Sequence, residues 1–157
     1  MRAFTAAAVQ IAPVAGPLSP DVVKANVEKC VDWLTRCVEA TGAEGVVADP
    51  DRLGTVMGAL PGVSVVCWLM GSADDAPAVN GDRLATLMER LVDTPVRGLV
   101  YEGAGTVDAA LLADGASIVL RAGDTWRIPV EVVEVDPASR SAWGEAMTAA
   151  VVRVLAA

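Results

Sequence analysis

The chain has 157 residues, a net charge of −8 and no histidine. So acidic a chain is a poor partner for a phosphate backbone, and no apolar run approaches the roughly 18 residues of a membrane span, which excludes nucleic-acid and membrane partners. The absence of histidine removes the commonest general base and metal ligand. The length suits a single domain, which we expect over residues 1–157.

The first part of the chain predicts two strand–helix units. Residues 3–13 predict an apolar strand that Pro13 would end. The helix over residues 19–42 has a serine cap, a proline at its first position and a glycine at its end. Residues 45–48 predict a second, short strand, and residues 51–60 predict a helix that two glycines weaken.

The rest of the chain predicts three more strand–helix units. The strands are residues 63–70, 99–101 and 130–135, and the helices are residues 81–93, 107–123 and 140–155. The polar residues 72–80 predict a mobile loop.

The repeated β-α order predicts a single three-layer α/β sandwich around a five-stranded parallel sheet, because crossovers between parallel strands are right-handed. Strands 63–70 and 99–101 are expected at its centre, since their unbroken apolar character requires cover on both faces. A flavodoxin-like strand order, 2-1-3-4-5, is favoured, and the Rossmann order 3-2-1-4-5 is the alternative.

The cysteines indicate a reducing compartment. Cys30 and Cys37 are seven residues apart in a helical pattern, which suits two core positions better than a disulfide. The N-terminus resembles a signal peptide superficially, but Gln10 and Pro13 argue against one. We therefore expect a cytoplasmic protein.

Polar side chains follow the predicted strands, at the edge where an open parallel sheet binds ligands. These residues are Asp49, Asp51, Ser72, Asp74, Asp75, Glu102 and Asp136. The favoured interpretation is that the aspartates cap turns and helices. The alternatives are a nucleotide site and a divalent metal held by Asp49, Glu102 and Asp136. We expect no catalytic residue and no metal ligand.

Residues 1–44 resemble the start of a carbon–nitrogen hydrolase of the nitrilase superfamily. The strand AAAVQIAP (6–13) and the helix ending in TGAE (41–44) match the first strand and helix of that family. The family's next strand ends in a general-base glutamate, whereas this chain has VVADPD (46–51), with Asp51 one position out of register.

The family's other catalytic groups are also poorly matched. No lysine follows Lys29. Cys67-Trp68 is similar to the nucleophile pair, but it lies too close to the second strand, and Leu69 stands where an acid is usual. The resemblance therefore implies the fold more than the chemistry.

From residue 45 onward the chain is similar to the later two-thirds of a Rossmann domain of the atypical short-chain dehydrogenase or epimerase type. Residues 46–71 supply an acid-ended strand, a helix and the next strand, and LVYEGAG (99–105) matches the strand that usually carries the catalytic serine. The resemblance implies that Asp49 and Gly71-Ser72 cradle the adenosine part of NAD(P). Glu102 and Gly103, at the next strand end, complete the candidate cofactor-binding set.

Two departures weaken this site. The glycine-rich fingerprint is absent, and residues 13–17 contain two prolines without amide donors for a pyrophosphate. The family's Tyr-x-x-x-Lys pair is absent as well, because Tyr101 is the only tyrosine and Gly105 stands where the lysine should be. We therefore expect no bound cofactor, or NAD(P) bound only weakly.

The two resemblances meet near residues 42–45, which leaves a natural mosaic, an engineered chimera and a diverged lineage open. We predict a Rossmann-like domain without catalysis, with a small-molecule nucleotide as candidate ligand and a homo-oligomer as an open option. The alternatives are a nitrilase-type hydrolase, an NAD(P)-dependent epimerase or dehydrogenase, and a scaffold or oligomerisation module.

Overall fold

The computed structural model describes residues 46, 48–50, 52–73 and 76–157. The chain divides into two compact units, Met1–Val47 and Ala48–Ala157. All of the helices and strands described below belong to the second unit. None of these helices is both long and apolar enough to cross a membrane.

Helices and strands alternate along the second unit. In chain order they are α1 (Leu53–Gly58), β1 (Val65–Trp68), α2 (Ala76–Val79), α3 (Asp82–Leu91), β2 (Gly98–Glu102), α4 (Ala109–Trp126), β3 (Val130–Val133) and α5 (Arg140–Ala156). The described strands form one sheet in the order β1-β2-β3, with both pairs parallel. The α/β class with parallel strands, which the sequence predicts, is therefore confirmed.

The predicted five-stranded sheet is wrong, because the sheet of the described residues has three strands. The predicted strand at residues 3–13 lies outside the described residues. Within the predicted strand at residues 45–48, Val46 and Ala48 are described, and neither is in a strand. The reason is burial: Val46 is 56% exposed, whereas a parallel strand needs cover on both faces. Residues 63–70 are also not central, since β1 lies at one edge of this sheet.

The larger core lies on one face of the sheet, beneath α3 and α4. The apolar stripe of α3 is fully buried there: Leu84, Leu87, Met88 and Leu91 are at most 1% exposed. Leu99 and Tyr101 of β2 point to this side, because side chains alternate along a strand. β2 is buried at all five positions, as expected for the middle strand.

A smaller core lies on the opposite face, beneath α5. Val100 of β2 and Val133 of β3 contact Met147, Val151 and Val154 of this helix, among others. Helices therefore cover both faces of the sheet, and among the described helices α5 is the one that packs on this face.

A buried hydrogen-bond network holds the segment between β1 and α3. The Tyr101 hydroxyl donates to Asn80 Oδ1 at 2.8 Å, and Asn80 Nδ2 donates to the carbonyls of Met70 and Ala76 at 3.3 and 3.2 Å. Trp68 Nε1 donates to the carbonyl of Val79 at 2.9 Å. The described part of the predicted loop at residues 72–80 therefore contains a short helix and a buried asparagine, and the polar composition of this segment misled the prediction.

Two helical glycines are expected to respond oppositely to alanine. A Cβ on Gly115 of α4 would overlap the Tyr101 hydroxyl, whereas a Cβ on Gly144 of α5 would meet nothing within 4 Å. Gly115→Ala should lower the free energy of unfolding by about 1–3 kcal/mol through overpacking. Gly144→Ala should raise it by up to about 1 kcal/mol through helix propensity. Urea unfolding of both variants checks this, and equal effects would contradict the packing of Tyr101 against α4.

Candidate functional site

The carboxyl edge of the sheet, defined here as residues 69–73 after β1 and 102–108 at the end of β2, is where this architecture places ligands. Four of the five predicted cofactor residues lie there: Gly71, Ser72, Glu102 and Gly103. These four come together because β1 and β2 are adjacent and parallel, so their loops leave the sheet side by side.

The carboxylate of Glu102 is the central group of this edge. The residue is 1% exposed. Its Oε2 accepts a hydrogen bond from the Gly71 amide at 2.8 Å, and its Oε1 accepts one from the Trp143 indole Nε1 at 3.1 Å. One side chain thus connects the β1 loop, β2 and α5.

Burial and hydrogen bonding act on this carboxyl group in opposite directions. Burial raises the pKa of Glu102 above its ordinary value, because removal from water disfavours the charged form, and the hydrogen bonds from Gly71 and Trp143 lower it by a smaller amount. The neighbouring Tyr101 has a pKa raised to about 12, mainly by its own burial and additionally by the charge of Glu102.

The two loops of the carboxyl edge are tied to each other. The Val107 amide donates to the carbonyl of Gly71 at 3.0 Å, and the Thr106 amide donates to Ser72 Oγ at 3.4 Å. A Cβ on Gly105, whose φ is +156°, would overlap the backbone of Gly71. The close approach of the two backbones therefore requires glycine at position 105. The two loops together fill the space between the ends of β1 and β2.

The remaining predicted residues take local roles. The Gly103 amide donates to the carbonyl of Val133 at 2.8 Å, which extends the β2–β3 ladder. Asp49 is exposed at the start of α1, where its amide donates to Thr55 Oγ1 at 2.8 Å and its carboxylate lies 3.7 Å from Arg52. Asp136 Oδ1 accepts from the Ala138 amide at 2.8 Å, as a turn-capping aspartate does.

The structure gives no geometry for three of the acidic residues named from the sequence, since Asp51, Asp74 and Asp75 lie outside the described residues. Among the residues that are described, no group of three or more His, Cys, Asp or Glu side chains is placed to hold a metal ion.

Cys67 lies in β1 and is half-buried, on the sheet face that α5 covers. Burial raises the pKa of its thiol. A thiol in such a position stays protonated at neutral pH and is a poor nucleophile.

Two open surface grooves lie away from the carboxyl edge. One runs along the outer surface of α5 and is lined by residues such as Arg140 and Thr148. The other lies between the end of α4 and the start of β3, next to Arg127 and Pro129. Neither groove includes a residue of the carboxyl edge.

Comparison of the chain with protein-family models, with curated proteins and with solved structures found no match.

Two residues of the site were not predicted as polar partners. Asn80 stood in a polar segment that indicated a loop, and no sequence signal marked it as buried. Trp143 was not predicted as a partner of the carboxyl edge, and its indole N–H donates to Glu102. A tryptophan on a helix that covers the sheet is a hint of such a role, because a buried indole N–H requires an acceptor.

The hydrogen bond from Trp143 can be tested by conservative substitution. Trp143→Phe keeps an aromatic ring but leaves a buried carboxylate oxygen without its donor, which should lower the free energy of unfolding by about 1–3 kcal/mol. Trp126→Phe is the matched control, since Trp126 is 36% exposed at the end of α4. Chemical denaturation of both variants provides the measurement, and equal losses would show that the bond to Glu102 contributes nothing.

Proposed function

We propose that residues 48–157 form a non-catalytic Rossmann-like domain, in which the carboxyl edge is a structural joint and dinucleotides bind no more tightly than about millimolar. A cytoplasmic location and a mosaic origin near residues 42–45 stay predictions.

One observation carries the proposal: the polar groups that would face a cofactor are hydrogen-bonded within the chain. Both oxygens of Glu102 accept internal donors, one of them the Gly71 amide. The Gly71 carbonyl and Ser72 Oγ accept amides of the opposite loop, and the Gly103 amide donates to β3. A nucleotide at this edge would have to replace bonds that already exist, and a buried group that loses its partner costs about 1–3 kcal/mol.

The catalytic alternatives are less well supported. An epimerase-type acid–base tyrosine must reach its substrate, but Tyr101 is 0% exposed, donates to Asn80 and has a pKa raised to about 12. A nitrilase-type nucleophile must be ionised readily, and burial of Cys67 acts against that.

Titration calorimetry of the full chain with NAD and with NADP tests the proposal. We expect no saturable heat below about 1 mM ligand, which corresponds to a binding free energy no better than about −4 kcal/mol. A dehydrogenase of known affinity serves as the positive control for the assay.

Saturable binding at micromolar concentrations would overturn the proposal. Asp49→Ala then identifies the predicted adenosine site, and Asp93→Ala is its matched control, because Asp93 is also an exposed aspartate in a turn. Binding that only Asp49→Ala abolishes would restore the dehydrogenase interpretation.

A further inference from the structure

Asn80 and Gly81 form an asparagine–glycine pair at the turn between α2 and α3. In such a pair the glycine nitrogen can attack the side chain of the asparagine, because glycine has no side chain to block the approach and its backbone is permissive. The other asparagine of the sequence, Asn26, precedes Val27, whose branched side chain hinders the same attack. Asn80 is therefore the position at which the sequence favours spontaneous deamidation.

The fold requires both members of this pair. A Cβ on Gly81 would lie 2.6 Å from the carbonyl oxygen of Pro77, so the close approach of these two backbones needs a glycine. The side chain of Asn80 is used at both of its ends, since Oδ1 accepts from the Tyr101 hydroxyl and Nδ2 donates to two carbonyls. Exchange of either residue would cost packing or buried hydrogen bonds, and a reactive pair is thereby retained in a buried turn.

The same contacts hold the pair away from the reaction. The Gly81 nitrogen must give up its proton and reach Asn80 Cγ, but in the folded chain its N–H donates to the carbonyl of Ala78 at 3.3 Å. The side-chain amide of Asn80 is fixed by its three hydrogen bonds. Water has little access to it, because Asn80 is 2% exposed. The reaction therefore needs a local opening of this segment.

We propose that Asn80 is a site of spontaneous deamidation, and that the hydrogen-bond network around its side chain confines the reaction to molecules in which residues 76–81 have opened. In the open segment, the Gly81 nitrogen loses its proton to water and attacks Asn80 Cγ. A nitrogen–carbon bond forms, the bond from Cγ to Nδ2 breaks, and Nδ2 leaves as ammonia. Water then opens the cyclic imide at either carbonyl, which yields aspartate or isoaspartate. This chemistry is independent of the function proposed above.

The product does not fit the position that Asn80 occupies. Both partners of Nδ2 are carbonyl oxygens, those of Met70 and Ala76, and a carboxylate has no proton to donate to them. The new negative charge would also stand where the asparagine is 2% exposed, which is costly. Deamidation thus converts a transient opening of this segment into a permanent one.

Peptide mass spectrometry of the full chain, incubated at mildly alkaline pH, tests the proposal, because deamidation adds about 1 Da to the peptide that contains Asn80. This peptide should gain the mass about tenfold or more slowly in the folded chain than in the chain unfolded by guanidinium chloride. The Asn26 peptide is the internal control and should gain it more slowly than the Asn80 peptide in the unfolded chain. Mass is the required readout, since Asp114-Gly115 can form isoaspartate without a change in mass.

Two variants separate local opening from a loss of overall stability. Tyr101→Phe removes the donor to Asn80 Oδ1, so it should speed deamidation of the folded chain about fivefold or more and leave the rate in guanidinium chloride unchanged. Val154→Ala makes a cavity in the smaller core, on the opposite face of the sheet, and should leave the rate of the folded chain within about twofold.

Equal rates in the folded and the unfolded chain would overturn the proposal, because the network would then give no protection. Equal acceleration by Tyr101→Phe and Val154→Ala would do so as well, since the opening would then be global. Asn80→Asp creates the product directly and should lower the denaturation midpoint of the chain. An unchanged midpoint would contradict the expected misfit of the carboxylate.

Discussion

The structure depends on one buried carboxylate. Glu102 lies at the end of the middle strand with 1% of its surface exposed, and an ion in such a position is costly unless its oxygens have partners. The partners are the Gly71 amide, which belongs to the loop after β1, and the Trp143 indole, which belongs to α5. Each of these segments is thereby held at the end of β2, and no other contact described at this edge joins all three.

This interaction also decides how the carboxyl edge is used. In ligand-binding α/β proteins the loops beyond the strand ends diverge and leave a crevice. Here the β1 and β2 loops converge, because Gly71 bonds twice to the segment at the end of β2. Its amide donates to the Glu102 carboxylate, and its carbonyl accepts from the Val107 amide. The polar groups that the sequence predicts as a cofactor-binding set therefore hydrogen-bond to one another's loops instead.

The sequence predicts the local structure of this unit better than its sheet or its site. Apolar spacing locates α3 and β2 correctly, because burial of a periodic face determines both. The number of strands was wrong, since the short apolar run at residues 45–48 indicates a strand, although Val46 is exposed. The partners of Glu102 could not be predicted, because Gly71 is 31 residues away in sequence and Trp143 is 41 residues away. Only the packed fold brings those donors to one carboxylate.

The most direct test of the role of Glu102 is a pH titration of its side-chain carboxyl carbon by NMR, read together with the indole N–H of Trp143 and the amide of Gly71. Burial is expected to place the titration midpoint above the ordinary value of 4.5. Both N–H resonances should shift with that same midpoint, because they donate to the two oxygens of the titrating group. A midpoint at or below 4.5, with neither N–H resonance following it, would show that the carboxylate is solvated and does not join the three segments.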